Sequence, residues 1–425
     1  MKKIISLVLI LLSVSSLFAH PMPNSVLLLD VNSEALSCEL QLPLPELQYA
    51  VSFDVAKNPQ QLLQTHQKEL SNYILSHFKI KGESGKNWNV QLLKMSIKTD
   101  EQEATGAYKE LVAILKIVPK SGDQIRQFTI HYDGIAHQVI THKILVAIRQ
   151  DWENGKIENE KTEVGTIQAD INTTKVPPFK VNLSSGSNWK GFQKMVQLGL
   201  EHIAEGTDHL LFLLVLLLSA PLIAENNNWV KSGNTRYSLI RILKIVTAFT
   251  LGHSITLIIG SFGLLHPNTR WVEILIAFSI LITAFHAIKP IFPKKEIFVA
   301  AGFGLIHGMA FATILSNLNL APSKLALSLL GFNIGIELMQ LFVILLVMPW
   351  FLLLSPYPVY KIVRIAGAVL AGIASLAWMF ERITGTSNFI TIPLEDNSNY
   401  SIWIISGLAL FAISYKTIFK LRNTN

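Results

Sequence analysis

Groups able to hold a metal ion stand inside stretches of this sequence that are otherwise apolar. The densest is Glu201-His202-Ile203-Ala204-Glu205-Gly206-Thr207-Asp208-His209. Further along come His253 between Thr250 and Thr256, then Glu273 and His286, then His307 beside Gly308, and finally Asn333, Glu337 and Gln340. An ionisable side chain inside a membrane span costs several kcal/mol unless it is paired, hydrated or metal-bound, so each is a functional candidate. Imidazole and carboxylate without thiolate suit borderline divalent ions: nickel, cobalt and zinc, with iron and copper as further options. The single cysteine, Cys38, has no partner in the chain, which excludes a disulfide framework and a cysteine-based metal site.

Spacing says how a helix would arrange these groups. His202 and His209 are seven apart and share a stripe, with Glu205 close to it and Gly206 able to break the register. Thr250, His253 and Thr256 recur every three residues on one broad face. Asn333, Glu337 and Gln340, four and three apart, share another. Ala300, Gly304, Gly308 and Ala312 recur every four, a small-residue ridge that lets helices approach closely and turns the neighbouring His307 toward the bundle interior.

The elements that must carry them are membrane helices. Half of the 425 residues are hydrophobic and only 15% are charged, with a mean hydropathy of +0.40; these values exclude an ordinary soluble protein. Seven apolar segments reach the ~20 residues a span needs, at roughly 207–224, 239–263, 271–292, 297–316, 326–354, 360–381 and 401–419. Lys231, Arg236, Arg241 and Lys244, then Lys289, Lys294 and Lys295, then Lys361 and Arg364, then Lys416, Lys420 and Arg422 all fall on one side of seven such spans. The alternate loops hold only Arg270, Lys324 and Arg382. The positive-inside rule puts the amino terminus outside and the carboxy terminus in the cytoplasm. The net charge of +7 is thus accounted for without nucleic acid. The setting expected is a bacterial inner membrane with the amino-terminal domain in the periplasm.

Lys2 and Lys3, the apolar run Ile4–Leu17 and Ala19 have the layout of a signal peptide over residues 1–19. Cleavage there would free the α-amine of His20, a further candidate ligand. Residues 20–185 read as a mainly β extracytoplasmic domain, a sandwich with a helical insertion. Its strands fall at Ser25–Val31, Asn89–Ile97, Leu111–Val118 and Gln127–Tyr132, and its helix over 60–77. Its scattered histidines, His66, His77, His131, His137 and His142, read as surface or core residues. Residues 170–188, with Val-Pro-Pro and Ser-Ser-Gly-Ser, read as a linker, and 186–206 as linker plus an amphipathic helix lying on the outer surface. The transmembrane domain then runs from 207 to 425.

With that topology, Asp208, His209, His253, His307, Asn333 and Glu337 lie between the outer surface and the bilayer centre. The expected ligand set is His202, Asp208, His209, His253, His307 and Glu337. Glu205, Thr256, Glu273, His286, Asn333 and Gln340 are pathway or supporting residues, with His286 a waypoint near the inner face. His266, beside Pro267, reads as a solvent-exposed loop residue.

These residues resemble the HupE/UreJ family, in its branch with a long extracytoplasmic amino-terminal domain, over roughly residues 195 to 350. The family's His-x5-Asp-His signature is met by His202, Asp208 and His209. Its Phe-His-Gly-x-Ala-His-Gly-x-Glu signature is met in part by Ile306-His307-Gly308-Met309-Ala310, with Phe311 where a second histidine would stand and no glutamate at the expected position. The resemblance implies a nickel or cobalt permease with His202, Asp208, His209 and His307 as ligands.

Three functions fit the residues. The first is a permease taking a divalent metal from periplasm to cytoplasm; no Gly-x4-Gly-Lys-Ser/Thr phosphate loop occurs, so it is not read as an enzyme that hydrolyses ATP. The second is an intramembrane zinc hydrolase, in which three histidines and a carboxylate activate a water. The third is a metal-sensing or assembly protein whose outer domain recognises a periplasmic or membrane partner.

Overall fold

A computed structural model describes residues 23–422, apart from 56, 103–105, 158–160, 184, 263, 265–266, 318–319 and 397–400. The expected signal peptide, His20 and His266 lie outside the described residues. The chain divides into two compact units, Met1–Gly186 and Ser187–Asn425.

The first unit is mainly β. Its strands are β1 Ser25–Val31, β2 Leu36–Pro43, β3 Phe78–Gly82, β4 Asn89–Gln102, β5 Gly106–Val118, β6 Gln127–Tyr132, β7 Lys143–Asp151, β8 Thr162–Gln168 and β9 Phe179–Asn182. Three helices, α1 Leu44–Leu47, α2 Leu62–Thr65 and α3 Gln67–His77, come between β2 and β3. A six-stranded sheet runs β4-β5-β2-β1-β7-β8, and a second of three strands runs β3-β6-β9. Among the described residues, only β1 and β7 pair in parallel. Period-two alternation sends Leu27, Leu29, Leu40 and Leu115 from the large sheet into the same core as Ile80, Ile130 and Val181 from the small one, with Leu70 and Ile74 of α3. Cys38 is buried in that core, where loss of solvation pushes its thiol well above its ordinary range. Arg149 of β7 binds Asp30 of β1 and Glu39 of β2, tying three adjacent strands.

Two expectations change here. The helix expected over 60–77 is interrupted at His66, whose φ of −126° is not helical. Part of the expected linker is β9, in which Val181 pairs with Phe128; burial of its apolar side chain outweighs the turn-like composition around it.

The second unit begins with α4 Asn188–Glu205 and α5 Thr207–Ser219, followed by the hairpin β10 Leu222–Glu225 and β11 Asn228–Ser232. Then come α6 Thr235–Ser261, α7 Thr269–Ile288, α8 Glu296–Asn317, α9 Pro322–Leu354, α10 Val359–Thr384, α11 Thr391–Asp396 and α12 Ser401–Arg422. Among the described residues, α6, α7, α9 and α10 are long and apolar enough to cross a membrane. The pair α4 and α5, bent by 71°, passes the same test as one unit, and α8 and α12 contain shorter apolar stretches, Glu296–Phe311 and Ile405–Phe419. Leu251, Phe298, Leu345 and Leu370 remain more than half exposed, an apolar exterior suited to lipid.

The segment expected to be the first span, 207–224, is not one helix. The 13 residues of α5 end at Ser219, and at ~1.5 Å per residue they rise only about 20 Å. Nor does α4 stand apart as the amphipathic surface helix expected. A side chain at Gly199 would strike Phe332 O, and one at Gly335 would strike Val196 O, each at 2.1 Å, while Gly331 faces Phe192. The order of these contacts makes α4 and α9 parallel neighbours in close backbone approach. Gly191, Met195, Gly199 and Ile203, four apart, form the buried stripe of α4. The small-residue ridge of α8 works the same way. Gly304 meets Phe249 O and Gly308 meets His253 O, while Gly252 of α6 meets Ala301 O in return.

Candidate metal centre

The site forms where α4 stops. Gly206 leaves the helical region with ψ 91°, closing α4 and opening α5. A Cβ there would lie 2.7 Å from His202 O and 2.8 Å from His209 Nδ1, so only glycine lets the carbonyl and the ring come together. The expected stripe on one helix is therefore corrected. His202 ends one helix and His209 begins the next, and the bend, not the seven-residue spacing, brings their rings to 4.7 Å.

His253 from α6 and His307 from α8 complete the group. The ring of His253 is 5.8 Å from that of His202 and 6.4 Å from that of His209, and the ring of His307 is 5.0 Å from that of His209. The glycine packing of α6 on α8 is what holds His253 and His307 side by side. Both are almost wholly buried, at 0% and 1% exposure. Ligand atoms of His202, His209 and His253 lie within 4.8 Å of one another, and so do those of Asp208, His209 and His307. In a tetrahedral site with bonds of about 2.1 Å the ligand atoms sit about 3.4 Å apart, so small side-chain rotations would close either group on an ion. His209 belongs to both.

The free nitrogens point to a cation. His202 Nε2, His209 Nε2, both nitrogens of His253, and His307 Nδ1 are buried without a hydrogen-bond partner. Buried polar atoms are otherwise nearly always paired. Asp208 Oδ1 accepts the His209 backbone N–H at 2.8 Å and faces His209 Nδ1 at 2.8 Å. A carboxylate oxygen in that position makes Nδ1 the donor, leaving Nε2 as the lone-pair nitrogen. The side chain of His307 is held by Ser279 of α7, whose Oγ lies 3.0 Å from Nε2.

An apolar wall encloses the cluster on its bundle side. Phe311 stacks on Phe332 at 4.6 Å, and both contact the His202 ring, at 4.8 and 5.4 Å. Phe249 and Phe212 flank His307 at 5.0 and 5.5 Å. A cavity of about 370 Å³ lies on the other side, lined by His202, Asp208 and His209 together with Glu205, Glu273 and Arg382. Arg382 Nε is 3.1 Å from Glu273 Oε2.

Several expected residues lie elsewhere. Glu337 accepts the hydroxyl of Thr247 at 2.7 Å and joins neither metal-competent group, and Gln340 accepts that of Thr250 at 2.9 Å. The face of α9 on which they lie is used to hold α6. Asn333 Nδ2 donates to Leu329 O on its own helix while its Oδ1 is buried without a partner, and Thr256 donates to His253 O. His286 is not poised as a waypoint. Its Nδ1 accepts the main-chain N–H groups of Ile291 and Phe292, at 3.2 and 3.4 Å, so its hydrogen sits on Nε2, 3.8 Å from Glu296. Its ring stacks on Phe292 at 3.8 Å, its carbonyl accepts from Trp229, and Glu296 also binds Arg241. That is a lock on the loop between α7 and α8.

Sequence reasoning missed Ser279, Phe332 and Arg382. A serine in an apolar helix gives no signal beyond helix back-bonding, and Phe332 is one of many apolar residues on α9. Arg382 reads from the sequence as an outer-loop residue, and nothing in its spacing ties it to Glu273.

Residues 180–382 match the family described as HupE / UreJ protein, which bears out the resemblance seen in the motif residues and extends it at both ends. No curated protein matches the chain.

Proposed function

We propose that the membrane unit is a permease that takes a divalent transition metal, nickel or cobalt in preference to zinc, from periplasm to cytoplasm. The HupE/UreJ family is associated with nickel and cobalt uptake and is a transporter or accessory family rather than an enzyme class. The metal is cargo, held by His202, Asp208, His209, His253 and His307. The observation that carries this reading is the pair of three-ligand groups sharing His209. An ion that keeps one ligand while exchanging two others is bound at every moment and never trapped in a closed cage, as conduction requires. The cavity bearing Glu205, Asp208 and Glu273 is the side from which it arrives. A helix interrupted where the substrate sits, as α4 and α5 are at Gly206, is a layout that secondary transporters use.

The same proposal includes seven spans, with α4 and α5 together forming the first and α8 and α12 completing the count. It places the β unit in the periplasm of a bacterial inner membrane and the carboxy terminus in the cytoplasm, on the lysine and arginine distribution. Residues 1–19 are the signal peptide, 20–185 the periplasmic domain and 207–425 the membrane domain, and the periplasmic domain meets a protein partner.

Metal flux into proteoliposomes tests the function. Wild-type protein should carry nickel or cobalt inward, and a His209→Ala, His253→Ala double variant should not. Equal fluxes for both proteins with nickel, cobalt, zinc, iron and copper would sink the proposal.

A further inference from the structure

We infer that Ser279, which supplies no ligand and lies on a helix that supplies none, is the positioning residue that decides which nitrogen of His307 faces the metal. The inference rests on the metal-binding reading above and concerns how that site is prepared.

Ser279 is completely buried on α7. Its Oγ donates to Ile276 O at 2.7 Å, one turn back on its own helix, and lies 3.0 Å from His307 Nε2. A serine hydroxyl has one hydrogen. With that hydrogen committed to a carbonyl, which can only accept, Oγ can meet the imidazole only as an acceptor. His307 Nε2 must then carry the ring hydrogen, and Nδ1 must carry the lone pair. Nδ1 is the nitrogen left buried without a hydrogen-bond partner, and His307 is a member of the group with Asp208 and His209. A partner on the far nitrogen of a ligating histidine fixes its tautomer and orientation and raises its basicity. Here that partner is a hydroxyl, where Asp208 does the same for His209.

The placement also ties the ligand to the cavity. Ile276, whose carbonyl takes the Ser279 hydrogen, lines the cavity with Ala277 and Glu273 of the same helix. The wall the ion passes and the tether that aims His307 are consecutive turns of α7.

The test uses full-length protein in nanodiscs, with Co(II) as the probe and 15N-histidine labelling to read the tautomer of metal-free His307, its signal assigned by its loss in His307→Gln. The wild type should show hydrogen on Nε2. Ser279→Ala should lower Co(II) affinity by about 10- to 100-fold and mix the two tautomers, while Ser279→Thr, which keeps the hydroxyl, should hold both near wild type. Hydrogen on Nδ1 in the wild type overturns the inference even if Ser279→Ala fails to fold. So does an alanine variant with unchanged affinity and tautomer. A wild type that binds no Co(II) overturns the proposed function itself, a result distinct from either of these.

Discussion

Two sets of buried histidines in the membrane unit look alike in sequence and differ in what surrounds them. His202, His209, His253 and His307 sit around the α4–α5 break, each with at least one buried nitrogen that no protein group meets. His286, at the far end of α7, also has a buried nitrogen without a partner, Nε2, but its Nδ1 accepts from two backbone N–H groups, which puts the ring hydrogen on Nε2, and its ring is pressed against Phe292. Burial of an ionisable group in a helix therefore does not identify a ligand. The state of its lone pairs does, because a nitrogen already accepting hydrogen bonds has nothing left to give an ion.

The largest effect expected from this contrast is at His209, the ligand shared by both groups. His209→Ala should reduce Ni(II) or Co(II) affinity by more than about 100-fold, exceeding the 10- to 100-fold typical of losing a supporting partner; calorimetric titration in detergent would read it. His286→Gln should leave that affinity within about twofold and cost about 1–2 kcal/mol of stability from the loop contacts it releases. If the two variants lost metal equally, the distinction would collapse.

A smaller effect sharpens the role of the apolar wall. Phe311 contacts the His202 ring at 4.8 Å and stands where the family pattern has a histidine. Phe311→His should add a donor beside His202 and tighten binding by roughly tenfold, or about 1.4 kcal/mol, in the same titration. Unchanged or weaker binding would show that the wall does more than occupy a ligand's place.

Gly304→Val probes the frame that brings His253 to His307. Even a Cβ at this position would meet Phe249 O at 2.1 Å, so α6 and α8 must separate. The expected loss is about 1–3 kcal/mol of stability, seen as a lower thermal midpoint, with weaker metal binding. Full affinity at reduced stability would separate the frame from the site.

These contrasts also mark how far sequence alone reaches. Four strands of the first unit are legible in the sequence, and β1 Ser25–Val31 and β6 Gln127–Tyr132 have the bounds expected, although only β6 alternates in burial. The apolar helices and the ridge on α8 follow from length and small-residue spacing. Five of the six ligand candidates, His202, Asp208, His209, His253 and His307, come together from four helices. What spacing does not carry is rotation about a helix axis, and whether a glycine breaks a helix. Glu337 shares a face with Gln340, but that face is turned to Thr247 and Thr250. Gly206 breaks a helix because His202 O and His209 need the space, a tertiary fact. His286 reads as a waypoint until the loop N–H groups that occupy it are seen.

The β unit supplies the mildest prediction and a third kind of histidine. His142 is buried, with Nε2 2.8 Å from Ser25 Oγ and Nδ1 3.4 Å from Glu46 Oε2. Burial pushes its pKa down to about 4, so between pH 6.5 and 4 the unfolded chain takes up a proton that the folded one refuses. Stability is present above that window and lost as pH falls through it. Burial raises the Glu46 carboxyl, which works in the opposite sense and offsets part of that loss. Hydrogen exchange at the amides of β1 should report weaker protection at pH 5 than at pH 7, and His142→Gln should flatten that difference.

The central claim is that an ion is bound by imidazoles gathered at the helix break. X-ray absorption of Ni(II)-loaded full-length protein measures it most directly. The account predicts a nitrogen and oxygen shell with the outer-ring scattering of at least two imidazoles, lost in His209→Ala and kept in His286→Gln. A shell without imidazole scattering, or one identical in wild type and His209→Ala, would contradict it.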